Sequence, residues 1–390
     1  MNDKFLNGNE AVAYGVLLAK PHVVAAYPIT PQTKAVEKIS QFVQDGDLDC
    51  EYMHVESEHS AMACSIGASS VGARTFTATS SQGLLYMLEC LPYASGARLP
   101  IVMMNANRAI ATPWNIYGDQ MDIMYALNSG WVQLFVEDAQ EALDVTLQAF
   151  KLAEHKDVLA PVVVNLDGFV LTHTYEKVSI PASSEVDAFL PPIAKYDHIM
   201  SDEHPMSMCI SAGNHQNQGF KQLQHEALFN AEGVFETIER EFSTQFGRAY
   251  GGAVDSYRMD DAEIAMLTTG SVTGTARVVV DELRREGIKA GLIKLRMVRP
   301  FPTKRLLEVV ADLKGLVVFD KNVSFGYEGT IFTNVNSALM QSGKMLKVEN
   351  VIGGLGGRDI PHHEIKSAYM NLIDKKNSKQ VRFSDEEVTA

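Results

Sequence analysis

The feature that most constrains this chain is alternation. From Asn9 to about Val164, short runs rich in Val, Ile, Leu and Ala alternate with stretches of helical periodicity, and the alternation resumes at Glu263. A strand returned to its own sheet through a helix runs parallel to the strand before it, so the pattern predicts open, mostly parallel α/β sheets. In the first half, strands are predicted at His22–Tyr27, Glu51–Val55, Arg74–Thr79, Leu99–Asn105, Trp131–Phe135 and Ala160–Asn165. Helices are predicted through Val43, over Ser57–Val71, Gln82–Ala94, Gln120–Asn128 and Ala139–Glu154. In the second half, strands at Glu263–Thr268, Ala290–Leu295, Gly315–Phe319 and Leu346–Ile352 enclose helices at Val272–Arg285, Pro302–Leu313 and Gly329–Leu339.

At about 150 residues per domain, 390 residues allow two or three domains. The expected division is an α/β domain over 1–180, a connector with a bridging helix over 181–258, a second α/β domain over 259–375 and a polar, fraying tail over 376–390. The connector is inferred from Pro181, Pro191, Pro192 and Pro205 among Ser, Asn and Gly, without sustained periodicity until an amphipathic helix over Ala231–Gly247.

Acidic residues outnumber basic ones 48 to 34, a net charge of −14 that repels phosphate backbones and anionic lipid and disfavours nucleic-acid or membrane partners. No run approaches the roughly 20 apolar residues that span a bilayer, and Met1–Glu10 has no apolar leader segment, so a cytoplasmic protein is expected. Four scattered cysteines, Cys50, Cys64, Cys90 and Cys209, form no C-x-x-C pair and supply neither a cluster nor a disulfide scaffold; no metal site is expected.

In doubly wound sheets, ligands bind beyond the carboxyl ends of strands, so the strand-to-helix junctions are where chemistry is sought. Tyr27-Pro28-Ile29-Thr30-Pro31 reads as a rigid turn, with Thr30 either capping the next helix or presenting its hydroxyl to a small polar substrate. His54-Val55-Glu56-Ser57-Glu58-His59 opens a helix of small residues; Glu58 is either an acidic group at the positive helix end or a buried carboxylate suited to proton exchange with a heterocyclic nitrogen. Thr79-Ser80-Ser81-Gln82-Gly83 could cap a helix or bind an anion. Arg108, directly after an apolar strand, needs a partner: Asp119 or Asp122 of this chain, or a substrate carboxylate. In the second half, Gly270 and Gly274 mark a weak phosphate-type turn, which leaves a nucleotide-binding protein as a minor reading. Gly353-Gly354 and Gly356-Gly357 suggest tight packing.

These junctions, in this order and spacing, together with Pro113, Asn115, Ile116 and Asp119, resemble the alpha subunits of pyruvate:ferredoxin oxidoreductases, within the 2-oxoacid:ferredoxin oxidoreductase family. Arg299-Pro300-Phe301-Pro302 resembles the transketolase C-terminal-like domain that follows in those subunits. The resemblance implies a thiamine-diphosphate pyrimidine-type domain followed by that second domain. It also implies oxidative decarboxylation of a 2-oxoacid, with pyruvate giving acetyl-CoA and CO2 and electrons passing to ferredoxin or flavodoxin. Thiamine diphosphate would lie at the interface with a beta subunit that holds its diphosphate and Mg2+. Gamma and ferredoxin-like delta subunits would complete the enzyme, [4Fe–4S] clusters would belong to partners, and coenzyme A would be the co-substrate. Glu58 falls on the glutamate that hydrogen-bonds the aminopyrimidine, and Thr30 and Arg108 on substrate-contacting positions. Pro28, Ile29, Asn115 and Asp119 would line the pocket. The chain departs from the usual pattern at Gln32, Trp114 and Gln120, which leaves another 2-oxoacid as an alternative substrate. A non-catalytic organising subunit is the alternative of a different kind; it requires Glu58 and Arg108 to face protein groups.

Overall fold

Strands form where β-branched and aliphatic residues run together without helical spacing, and here most are buried on both faces, as covered parallel sheets require. The computed structural model describes residues 2–196, 198–203, 205–374 and 381–384. Its strands are β1 (Asn2–Leu6), β2 (Val23–Ala26), β3 (Glu51–His54), β4 (Thr75–Thr79), β5 (Ile101–Asn107), β6 (Val132–Phe135), β7 (Val162–Asp167) and β8 (Glu176–Ile180), then β9 (Val254–Tyr257), β10 (Ile264–Thr268), β11 (Ala290–Leu295), β12 (Met297–Arg299), β13 (Gly315–Asp320), β14 (Lys347–Ile352) and β15 (Val381–Phe383).

The larger sheet has the order β12-β6-β7-β5-β4-β2-β3 and is parallel except for β12, which runs antiparallel to β6. The second has the order β15-β14-β13-β10-β11-β9, with β9 alone antiparallel. β1 and β8 form a two-stranded antiparallel ribbon. Two open α/β sheets are thus present, as the alternation implies.

Three differences from the sequence reading have local causes. The single helix expected over Gln82–Ala94 is two, Ser81–Tyr86 and Leu91–Gly96, because Pro92 in the first turn starts a new helix where it could not continue an old one. The bridging helix is 33 residues long, Asn214–Phe246; its buried stripe Ala227, Ala231, Phe235, Ile238, Phe242 and Phe246 occupies only the second half, so the polar first half carries no periodic signal. In the tail, read as fraying, the described residues 381–384 hold β15, which pairs in parallel with β14; the rest of the tail lies outside the described residues. A short helix, Ser183–Phe189, also lies in the segment read as aperiodic.

Each sheet has an apolar cluster of its own, and a third is shared between them. The shared cluster joins Met103, Trp131 and Phe135 of the larger sheet's side to Leu267, Leu295 and Phe332 of the other. Polar contacts reinforce the seam. Glu141, fully buried in the first turn of the helix Ala139–Ala153, receives Lys294 Nζ at 2.5 Å and Arg296 Nε at 2.6 Å from β11 and the residue after it. Burial opposes the ionisation of Glu141, but the two cations outweigh it and hold the carboxyl down at about 2. Among the described residues, no helix is long and apolar enough to cross a membrane.

Candidate active site

In the larger sheet, β3 lies on one side of β2 and β4 on the other, so consecutive connections leave in opposite directions. This is a topological switch point, where the loops after adjacent strands splay apart and leave a crevice. The four junctions singled out in the sequence follow β2, β3, β4 and β5, which are neighbours, so their carboxyl ends lie on one edge.

Glu58 opens the helix Glu58–Ser70, with Ser57 as its N-cap accepting the Ser60 N–H at 3.2 Å. Its side chain is buried, yet among the described residues its carboxylate makes no hydrogen bond or ion pair. The turn after β4 closes against it: a Cβ at Gly83 would lie 2.5 Å from Glu58 Oε1 and 2.7 Å from Thr79 Oγ1. Thr79 Oγ1 and Gln82 Nε2 of the same turn are fully buried without partners, while the Glu58 carboxylate beside them keeps a small opening. Buried polar groups are nearly always satisfied, so a cluster of orphans marks a place where a ligand completes the set.

Arg108 is buried at the end of β5. Its Nη1 donates to the Thr30 carbonyl at 2.8 Å, Trp114 covers its guanidinium at 5.2 Å, and Nε has no partner. Burial lowers its pKa, opposed by the charge of Asp122. The guanidinium is not paired with Asp119 or Asp122, as one reading expected. Asp122 instead accepts the backbone N–H groups of Arg108 at 3.1 Å and Ser81 at 3.0 Å, with Asn107 Nδ2 at 3.0 Å. One fully buried carboxylate therefore ties the turn beside Glu58 to the start of the arginine. Burial pushes Asp122 up to about 6 despite these donors. The sequence signal for it, Asn105 and Asn107 on one face of an apolar strand, had no assigned acceptor.

Thr30 is exposed and does not cap the next helix, which starts at Thr33 with Gln32 before it. Gln32 is buried and donates Nε2 to the carbonyls of Tyr27 at 2.9 Å and Ala78 at 3.3 Å, joining the β2 and β4 junctions. Ile29 accepts the Gln32 N–H at 2.9 Å, and Pro28 is exposed at the rim. Asn115 and Asp119 lie at the seam: Asn115 Nδ2 donates to Gly356 O at 2.8 Å, and Gly356 N donates to Asp119 Oδ2 at 2.9 Å. The glycine-rich exit of β14 thus packs against the loop bearing Trp114; a Cβ at Gly357 would meet Tyr117.

The Gly270 turn is filled by the chain itself. Asp167, at the end of β7, accepts Ser271 N at 2.7 Å and Ser271 Oγ at 2.6 Å and pairs with Lys321 Nζ at 3.0 Å. A Cβ at Gly270 would lie 2.5 Å from Asp167 Oδ2. An internal carboxylate occupies the anion-binding turn, which removes the nucleotide reading.

The switch-point crevice and the second α/β unit packed on the same chain define a two-unit, mostly parallel α/β protein. A split-gene transketolase chain shares the fold at TM-score 0.56 and 12% identity, covering 94% of this chain and 98% of that one. The 2-oxoglutarate:ferredoxin oxidoreductase from Magnetococcus marinus shares it at TM-score 0.73 and 18% identity, over 95% of this chain and 65% of that one. Residues 14–240 match the pyruvate flavodoxin/ferredoxin oxidoreductase thiamine-diphosphate-binding family, and residues 262–365 match pyruvate:ferredoxin oxidoreductase core domain II. The pyruvate synthase subunit PorA of Methanocaldococcus jannaschii is 46% identical over 95% of both chains. The ketoisovalerate oxidoreductase subunit VorA of Pyrococcus abyssi is 44% identical over 93% of this chain and 92% of that one. The chain belongs to the pyruvate:ferredoxin oxidoreductase family, as a subunit of a 2-oxoacid:ferredoxin oxidoreductase.

Proposed function

We propose that the chain is the alpha subunit of a coenzyme-A-acylating enzyme that oxidatively decarboxylates pyruvate to acetyl-CoA and CO2, with electrons passed to ferredoxin or flavodoxin. The observation that carries this is Glu58: a largely buried side chain whose carboxylate has no partner among the described residues and keeps a small opening at its tip, held against the Gly83 turn at the switch point. The orphaned Thr79 hydroxyl and Gln82 amide beside it suit the polar edge of an aminopyrimidine. Thiamine diphosphate, when bound, supplies the carbanion on which 2-oxoacid decarboxylation depends.

In this reading Glu58 holds and exchanges a proton with a ring nitrogen of the pyrimidine, and its burial strengthens that hydrogen bond by excluding water. Arg108 binds the substrate carboxylate through its free N–H groups, while its bond to the Thr30 carbonyl fixes the fork. The Thr30 hydroxyl orients the substrate, and Pro28 and Ile29 shape the rim. A beta subunit carries the diphosphate and Mg2+, while gamma and delta subunits carry the ferredoxin-like domain and [4Fe–4S] clusters. This chain's cysteines are dispersed and free. The reading of a non-catalytic organiser needs Glu58 and Arg108 satisfied by protein groups. Glu58 has none among the described residues and Arg108 has one carbonyl.

The test is Glu58→Gln and Glu58→Ala in the co-expressed complex. Both are expected to assemble normally and to lose decarboxylation by at least about a hundredfold, as for a lost general acid–base group. Activity near wild type in assembled Glu58→Ala complex overturns the reading.

A further inference from the structure

Buried and half-buried arginines in this chain follow a pattern. Arg74 pairs with Glu154, Arg248 with Asp144 and Arg296 with Glu141, while Arg98 binds the carbonyls of Leu159 and Val158. Arg299 breaks it. Its Nη1 reaches only the neighbouring Val298 carbonyl at 2.9 Å, and its Nη2 makes a long 3.3 Å contact with Asn334 Oδ1. Among the described residues no carboxylate pairs with it, and burial drops its pKa to about 10. Arg108, the other arginine that borders open space without a carboxylate, is the one assigned to the substrate.

Arg299 lines a cavity of about 530 Å3, within the size range of small-molecule sites, about 300–1,000 Å3. The cavity lies where three parts of the molecule meet: the loop before β6, the helix Asn214–Phe246 and the Arg299-Pro300-Phe301 segment beside the helix Thr330–Ser342. Trp131, Leu228, Phe229 and Phe301 supply apolar and aromatic surface. No acidic residue lines it, although the chain as a whole carries a net charge of −14. The Trp131 indole N–H is already used by the Leu91 carbonyl at 3.0 Å, so that ring offers only its apolar faces.

We propose that this cavity is a second ligand site, separate from the switch-point crevice, for a monocarboxylate with an aromatic or branched apolar body. The planar fork of Arg299 receives the carboxylate, and the rings receive the body. A single cation matches a single negative charge. A di- or trianion would bring excess charge into a pocket whose one guanidinium is accompanied by His225 and the neutral donors Asn128, Thr303, Asn334 and Gln341, inside an acidic molecule. The site is independent of the Glu58 reading, because it shares no residue with it.

The test uses the purified co-expressed complex and isothermal calorimetry with 3-phenylpropanoate, with 3-phenylpropanamide as the uncharged control. The expected result is saturable binding of the acid, with the amide at least about tenfold weaker, as loss of a charge-assisted pair implies. Arg299→Gln should weaken the acid to the level of the amide. Leu228→Trp, which fills the cavity from the long helix and leaves Arg299 in place, should abolish binding of both, and so keeps the test open if Arg299→Gln does not fold. Equal affinity for acid and amide, binding unchanged by Leu228→Trp, or no binding by the complex (the cavity then being covered by a partner subunit) overturns the proposal.

Discussion

Glu58 owes its position to a glycine. The turn after β4 comes so close that a methyl group at Gly83 would sit 2.5 Å from Glu58 Oε1 and 2.7 Å from Thr79 Oγ1, well inside van der Waals contact. Gly83→Ala is therefore expected to displace the carboxylate while leaving the core intact. The expected outcome is a fall in turnover of about a hundredfold, of the size caused by small misplacements of catalytic groups, with little change in melting temperature. Activity assay and thermal melt on the same complex decide it. Trp114 carries a second expectation. It lies over Arg108 and is mostly exposed, so it can narrow the space for the substrate chain without contributing to the core. Trp114→Val should raise kcat/KM for 2-oxoisovalerate relative to pyruvate, by about ten- to a hundredfold for one or two accommodated methyl groups. An unchanged ratio would show that substrate choice lies elsewhere. At this scale the junctions that carry Thr30, Glu58 and Arg108 could be singled out because each lies within four residues of a strand's carboxyl end. Gly83 as the partner of Glu58 could not, because nothing local says that β4 lies on the far side of β2 from β3.

Among the elements, the strands β10, β11 and β13 were readable because their apolar runs are short and bounded by turn residues. β12 was not: three residues after Arg296 cross from the second unit to pair with β6, and such a pairing leaves no periodic trace. The Gly270 turn shows how a correct local reading can carry the wrong ligand. Its backbone does receive an anion, and that anion is Asp167. Asp167→Ala should accordingly destabilise the protein, because it leaves the nearly buried Lys321 ammonium without its counter-ion. Breaking one side of such a pair costs about 3–5 kcal/mol. Denaturant unfolding measures the loss. The double variant Asp167→Ala with Lys321→Met should recover part of it, since no uncompensated charge then remains. If the double variant is no more stable than the single one, the ion pair is not what joins the units here.

For the molecule as a whole, a shared apolar cluster and the Glu141 ion pairs join the two α/β units. The molecule contains several carboxyls whose burial works against ionisation. Asp122 and Asp138 are pushed up to about 6 and Asp320 to about 7, in each case chiefly by burial. Such groups bind protons more tightly folded than unfolded, so their contribution to stability is complete below the ordinary aspartate value and is lost as pH rises through 6 to 7. Each tenfold gain in proton affinity on folding is worth roughly 1.4 kcal/mol, and all three groups act in the same direction. Glu141 works in the opposite sense: held down at about 2, it stabilises above the ordinary glutamate range and its contribution disappears only in strong acid. The net charge of −14 adds self-repulsion that grows as the carboxyls ionise. All three effects place the stability maximum on the acidic side of neutrality, with stability falling from there as pH rises toward 7 and beyond. The melting temperature should therefore be several degrees higher at pH 5.5 than at pH 8, and Asp320→Asn should reduce that difference by removing the group that titrates nearest neutrality. A melting temperature that rises steadily from pH 5.5 to pH 8 would mean that these buried carboxyls are ionised in the native state at no cost, contrary to the surroundings the fold gives them.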